Sequence, residues 1–226
     1  MTSLRLISRI VLCVVSVCCF ATQISAQGVV LNDVPKEIDA NPRYLFYLSG
    51  YIVESGNTRP ISFDFGPYEY VKILETFKDS DFVVISEARK KTPNIEPYAR
   101  KVVDLIKKLL KAGVPADHIT VVGASQGSWI AMLTSTYLKN RDVNFVLIAA
   151  CSADKGFLDV VNLYGNILSI YERTDLAQSC GDYRADGKGI RDWKEVELNT
   201  GLKHGFLFRP LKEWVDPTIE WAKQKR

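Results

Sequence analysis

The residues "VVGASQGSWIAM", numbered 121–132, set a β-branched run directly against a helix-forming one. Val121 and Val122 run into Gly123, Ser125 stands at the corner, and Gly127 opens an apolar stretch. Two readings of that corner compete. In one, glycines relieve crowding in an ordinary strand-to-helix turn and the serine caps the helix. In the other, the pattern G-x-S-x-G pushes the serine up on a strained turn. Its hydroxyl is then exposed above a sheet, and the N–H of the next residue points at a developing oxyanion. Glycine and serine are common, so the flanking sequence must decide.

Outward from the corner, short apolar runs alternate with helical patterns. "RYLFYLS" (43–49), "DFVVIS" (81–86), "HITVVGA" (118–124), "NFVLIAA" (144–150) and "NILSIYE" (166–172) are rich in β-branched or aromatic residues. Most carry so little polar interruption that they read as strands buried on both faces. "KEVELN" (194–199) alternates instead, which suits a strand nearer the sheet edge. Helices are predicted between them. "PYEYVKILETFKD" has Pro67 placed to open one, "IEPYARKVVDLIKKLLKAG" closes on Gly113, and "GSWIAMLTSTYLKN" follows the serine corner. A last one is expected in "DPTIEWAKQ", with Asp216 as N-cap and Pro217 at its first position. The polar, glycine-bearing loop "CGDYRADGKGIRDW" (180–193) is expected to cross the surface. Strands separated by single helices predict an α/β fold: an open, mainly parallel sheet with helices on both faces.

Bulk properties narrow the setting. Arg5 and Arg9 precede the apolar "IVLCVVSVCCFA", and "TQISAQ" offers small residues near Ala26. Residues 1–26 therefore read as a secretory signal peptide, and export follows as an expectation. The apolar run is shorter than the roughly 20 residues of a membrane span, so no stable span is expected in the mature chain. Residues 27–226 suffice for one domain with a real core. The formal net charge of +3 falls to +1 without the leader's two arginines, which argues against a dedicated nucleic-acid binder. Lysines do cluster in 98–113, but Val102, Val103, Ile106, Leu109 and Leu110 recur opposite them at helical spacing. Of five cysteines, Cys151 and Cys180 lie outside the leader and are candidates for one disulfide.

In an open parallel sheet, residues that follow strands gather at one edge, where ligands bind. Serine needs a base to take its proton, and histidine serves near neutral pH. The chain has two histidines. His118 starts the strand that ends near Ser125, roughly 20 Å away at the rise of an extended chain, so it is out of reach. His204 follows the last strand run on a loop flanked by Gly201 and Gly205 and can swing over the edge. A carboxylate to orient the imidazole must follow a strand between Ser125 and His204. Asp175, three residues past "ILSIYE", is preferred, with Glu172 in reserve and Asp154 third. Oxyanion donors are expected from the N–H of Gln126 and from the loop after 43–49, at Gly50 and Tyr51.

In the order nucleophile, acid, histidine, with "GASQGS" at the elbow and "KHGF" at the histidine loop, the chain from about residue 42 onward resembles the α/β-hydrolases. The resemblance implies that fold, with Ser125 as nucleophile, Asp175 as acid, His204 as base, and an oxyanion hole from Gln126 and Tyr51. One departure is visible. Many members have His-Gly after the third strand, where this chain has Ser49-Gly50. The expected activity is hydrolysis of an ester-type bond in a small-molecule acyl substrate, without cofactor. Peptidase or thioesterase chemistry and a non-catalytic binding role are the alternatives. No HExxH, paired Cys-x-x-Cys or phosphate-binding glycine loop follows any strand, so no metal is expected.

Overall fold

The computed structural model of the chain describes residues 28–91, 94–151 and 160–226. The predicted leader, Asp154 and most of the connection after Cys151 lie outside the described residues. Seven strands form one parallel sheet: β1 (Val29–Leu31), β2 (Arg43–Leu48), β5 (Phe82–Ile85), β6 (Ile119–Ala124), β7 (Asn144–Ile148), β8 (Tyr164–Glu172) and β9 (Gly189–Leu198). Their spatial order is β1-β5-β2-β6-β7-β8-β9. β3 (Ile61–Ser62) and β4 (Gly66–Pro67) make a separate two-stranded hairpin. The helices are α1 (Tyr70–Lys78), α2 (Glu96–Lys111), α3 (Gln126–Leu138), α4 (Gly181–Asp186) and α5 (Lys212–Lys223).

The sheet is covered on both faces, as its unbroken apolar runs require. Tyr44, Phe46 and Leu48 of β2 point into one core with α2 and α3, through residues such as Ala99, Ile106 and Ile130. Leu45 and Tyr47 point the other way, to α1 and α5, against Ile73, Phe77 and Trp214. The period-2 alternation of a strand thus feeds two cores from one segment. The lysine-rich α2 buries Val102, Val103, Ile106 and Leu109 and leaves its lysines outside. No helix among the described residues is long and apolar enough to cross a membrane.

Strand order fixes where a site can lie. From β2 the chain moves out to β5, then returns on the other side of β2 as β6 and continues outward through β9. The direction of winding therefore changes between β2 and β6. A crevice opens at such a switch point, beyond the carboxyl ends of the two strands. Gly50 and Tyr51 follow β2 there, and Ser125 follows β6.

Three local expectations are corrected. Pro67 does not open a helix; it pairs with Ile61 in the hairpin, and α1 begins at Tyr70. The Tyr68 N–H donates to the Pro60 carbonyl and that of Glu69 to the Phe208 carbonyl, so packing of Tyr68 and Phe65 against Phe208 sets the entry to α1. The last helix starts at Lys212, not after Asp216, with Pro217 inside it. Its first turn carries Trp214 and Val215 into the core, and burying a tryptophan outweighs the one backbone bond a proline removes. The segment 180–193 is no simple surface loop, because α4 and the first half of β9 occupy it. Cys180 is bonded to Cys151 with Cα atoms 5.3 Å apart, which ties the start of that segment to the end of β7.

Candidate active site

The serine corner is built by close approach. A Cβ on Gly123 would stand 2.4 Å from the Gly127 carbonyl oxygen, and one on Gly127 only 1.8 Å from that of Leu48. Both positions exclude any side chain, because strand, turn and helix are pressed together there. Ser125 itself takes φ 53° and ψ −122°, a conformation that costs on the order of 1–3 kcal/mol in a non-glycine residue. Neighbouring bonds hold it. The Ser125 N–H donates to the Ile148 carbonyl at 2.9 Å, and the Ser128 N–H to the Ser125 carbonyl at 2.8 Å. The buried Ser128 hydroxyl lies within 2.8 Å of the Gly123 and Ile148 carbonyls and accepts the Ile148 N–H. Sequence reading treated Ser128 as part of a helix; its place in the turn of a strained corner is what marks it.

The three side chains converge. Ser125 Oγ lies 3.0 Å from His204 Nε2, and His204 Nδ1 lies 2.7 Å from Asp175 Oδ2. Asp175 is nearly buried while the imidazole is partly open to solvent. The carboxylate requires a proton on Nδ1, which leaves the Nε2 lone pair facing the serine hydroxyl. Oδ1 of Asp175 accepts the Leu176 N–H at 2.7 Å, which fixes its carboxylate plane. His204 rides on a 3₁₀ turn, Lys203–Phe208, whose ring neighbour is Phe65 of the hairpin at 6.5 Å.

Glu172, the reserve acid, does something else. Its fully buried carboxylate accepts five hydrogen bonds: from the N–H and hydroxyl of Thr174, the N–H and hydroxyl of Thr200, and the N–H of Gly201. Burial pushes its pKa up, but the Thr200 and Thr174 hydrogen bonds outweigh that and hold it below the ordinary carboxylate value. It fastens the loop of Asp175 to the loop of His204. His118, at the far end of β6, is remote from this edge, as its position predicts.

Segments that follow two other strands border the serine on its opposite side. Gly50 is so near the serine that a Cβ on it would lie 3.5 Å from the Ser125 Cβ. Tyr51 opens a 3₁₀ helix, Tyr51–Gly56, and Gln126 opens α3. First-residue N–H groups of helices have no partner within the helix. Behind them lies a buried pair that sequence reading missed, because two charges in different loops carry no spacing signal. Arg89, after β5, and Glu54 are 4% and 7% exposed, with Nη2 and Oε1 3.7 Å apart. The same Nη2 donates to Gln126 Oε1 at 2.9 Å. Among the described residues no group of three His, Cys, Asp or Glu side chains is placed to hold a metal ion.

No family model and no curated protein matches the sequence. Solved structures do match by fold. A protein from Xanthomonas campestris assigned to the alpha/beta hydrolase superfamily is 10% identical with a TM-score of 0.52, over 80% of this chain and 95% of that one. Est1E from Butyrivibrio proteoclasticus is 14% identical with a TM-score of 0.53, over 84% and 90%. An esterase from Rhizomucor miehei is 14% identical with a TM-score of 0.56, over 85% and 75%. The seven-stranded parallel sheet with helices on both faces is the α/β-hydrolase fold.

Proposed function

We propose that this chain is a serine hydrolase that cleaves an ester-type acyl bond through a covalent acyl-enzyme. The observation that carries the reading is the unbroken path from Asp175 Oδ2 through His204 to Ser125 Oγ, at 2.7 Å and 3.0 Å, beside a strained serine. A serine at φ 53° and ψ −122° is costly backbone, and a turn built to expose a nucleophile accounts for it.

The chemistry follows from those contacts. His204 Nε2 takes the Ser125 hydroxyl proton as Oγ bonds to the acyl carbon, and the carbonyl oxygen becomes an oxyanion held by the N–H groups of Gln126 and Tyr51. His204 then gives that proton to the leaving alcohol oxygen as the C–O bond breaks. Water repeats the sequence, with His204 as its base, and releases the acid and free Ser125. Asp175 keeps its charge and stabilises the imidazolium.

The surroundings favour an accessible, partly apolar substrate. A groove of about 620 Å³ beside His204 is lined by Phe65, Leu202, Lys203 and Arg209, among others. The hairpin against it exposes Ile61 and Phe63, and Leu176 next to Asp175 is also exposed. The similar fold that carries an esterase name, from Rhizomucor miehei, agrees with ester hydrolysis. Export of the chain is proposed alongside, supported by the Cys151–Cys180 disulfide, since such bonds persist in oxidising compartments.

Labelling with a fluorophosphonate tests the reading. The wild-type chain is expected to react at Ser125, and Ser125→Ala to remain unlabelled. Equal labelling of the two, or of neither, rejects it; an intact fold without labelling is what a purely binding protein would give.

A further inference from the structure

We infer that Arg89 is a positioning residue for the oxyanion hole: it ties the segment that presents the Gln126 N–H to the segment that presents the Tyr51 N–H. The inference rests on Ser125 being the nucleophile of the proposed reaction. Its basis is one guanidinium shared between two loops. Arg89 Nη2 donates to Gln126 Oε1 at 2.9 Å, and the same nitrogen lies 3.7 Å from Glu54 Oε1. Glu54 belongs to the 3₁₀ helix that Tyr51 opens, and Gln126 is the first residue of α3. Arg89 comes from a third element, the loop after β5, and its guanidinium also stands 5.4 Å from the Tyr98 ring centre.

The arrangement is expensive for mere stability. Glu54 and Arg89 are both more than nine-tenths buried, and among the described residues neither Glu54 oxygen accepts a hydrogen bond and Arg89 Nη1 donates none. A buried ion pair with so few supporting bonds is commonly no better for folding than an apolar pair of similar volume. What an apolar pair could not supply is a directional bond to the Gln126 side chain. An oxyanion donor works only when held about 2.7–3.1 Å from where the charge will develop. Gln126 opens α3 directly after a strained residue; the Ser128 N–H bond to the Ser125 carbonyl holds one side of the peptide that carries its N–H, and no bond within the helix engages the N–H itself. The Arg89 bond anchors that residue by its side chain and references it to the opposite donor loop. Glu54 balances the guanidinium charge, so the effect is one of placement.

Gln126→Ala is the cleanest probe, because it cuts the bond to Arg89 and leaves both the Gln126-position N–H and the Glu54–Arg89 pair in place. Arg89→Met is the second variant. Active serines are counted by fluorophosphonate labelling carried to completion, so any unfolded fraction drops out. Hydrolysis of p-nitrophenyl acetate is then measured per active serine, together with inhibition by an aryl trifluoromethyl ketone, which adds to serine and forms an oxyanion, and by the matching methyl ketone. Each variant is expected to lower kcat by about 10- to 100-fold, less than the roughly 100- to 1,000-fold loss when a donor is removed outright. KM and methyl ketone affinity should move little, and trifluoromethyl ketone affinity should fall in step with kcat. The double variant should be no worse than the poorer single one, and Gln126→Glu, which restores an acceptor for Arg89, should recover most of the loss. Unchanged kcat and trifluoromethyl ketone affinity per active serine in Gln126→Ala, with a normally labelled wild type, would overturn the role of Arg89 alone. A wild type that does not label would overturn the nucleophile with it.

Discussion

The two sides of the serine are held by opposite means. On the side of β8 and β9, the buried carboxylate of Glu172 is saturated by five directional hydrogen bonds, and Cys151–Cys180 staples the neighbouring segment. The Gln178 N–H donates to the Cys151 carbonyl and its side-chain amide to the carbonyl of Asp175, so the acid's loop is tied down from both directions. On the side of β2 and β5, the buried carboxylate of Glu54 accepts no hydrogen bond among the described residues and faces Arg89 at 3.7 Å. The difference matches the tasks proposed for each side. Proton transfer between Ser125 and His204, with Asp175 orienting the imidazole, demands fixed geometry at each contact. The donor side must hold two backbone segments in register, which a single shared cation can do.

The largest effect that could break the comparison lies on the first side. Asp175→Asn keeps the size of the side chain but offers His204 Nδ1 an amide that can impose the wrong tautomer. A loss of about 10⁴-fold in kcat is expected, with little change in thermal stability. Steady-state kinetics with circular dichroism melting will decide it. A loss below tenfold would mean that the directional network on this side serves the fold and not proton transfer.

Next in size is a stability effect on the second side. Glu54→Gln removes the charge facing Arg89 and leaves a buried guanidinium uncompensated, for which a loss of about 3–5 kcal/mol is expected. Pairing it with Arg89→Gln should recover most of that, because two neutral amides carry no desolvated charge. Urea unfolding of the single and double variants gives the coupling directly. If the double variant is as unstable as the sum of the singles, the two residues are not held by their mutual charge, and the contrast with Glu172 disappears.

How much of this was legible beforehand divides along the same line. Ser125 announced itself because Gly123 and Gly127 are close-packing requirements that leave a mark at fixed spacing. His204 followed by elimination between two histidines, and Asp175 by its distance from a strand end. These are local signals joined by one topological rule. Arg89 and Glu54 have no local signal: each reads as a loop charge, and only the winding of β2, β5 and β6 brings them together. The hairpin was hidden for a different reason. Strands of two residues show no alternation, and Pro67 reads equally well as a helix start. In α5 the expected boundary failed because burial of Trp214 overrode the proline rule.

The smallest of the expected effects is the most specific to the first side, because its size depends on pH. In Glu172→Gln one carboxylate oxygen becomes an NH₂ group, so donors from Thr174, Thr200 or Gly201 must face another donor. Leaving one such group unmatched costs about 1–3 kcal/mol near neutrality. The wild-type carboxyl is held below its ordinary value by the hydrogen bonds of Thr200 and Thr174, which prevail over the opposing push of burial. A group depressed in the folded state contributes stability that is fully present above its unfolded pKa and is lost as pH falls through the folded one. The wild type should therefore lose its advantage over Glu172→Gln as the medium is acidified below the ordinary carboxylate range. Other carboxylates titrate there in both proteins, so the difference between them isolates Glu172. Unfolding free energies measured from pH 7 downward should draw together once the pH passes below the ordinary carboxylate range, and a gap that stays constant throughout would remove charge from the account of this side.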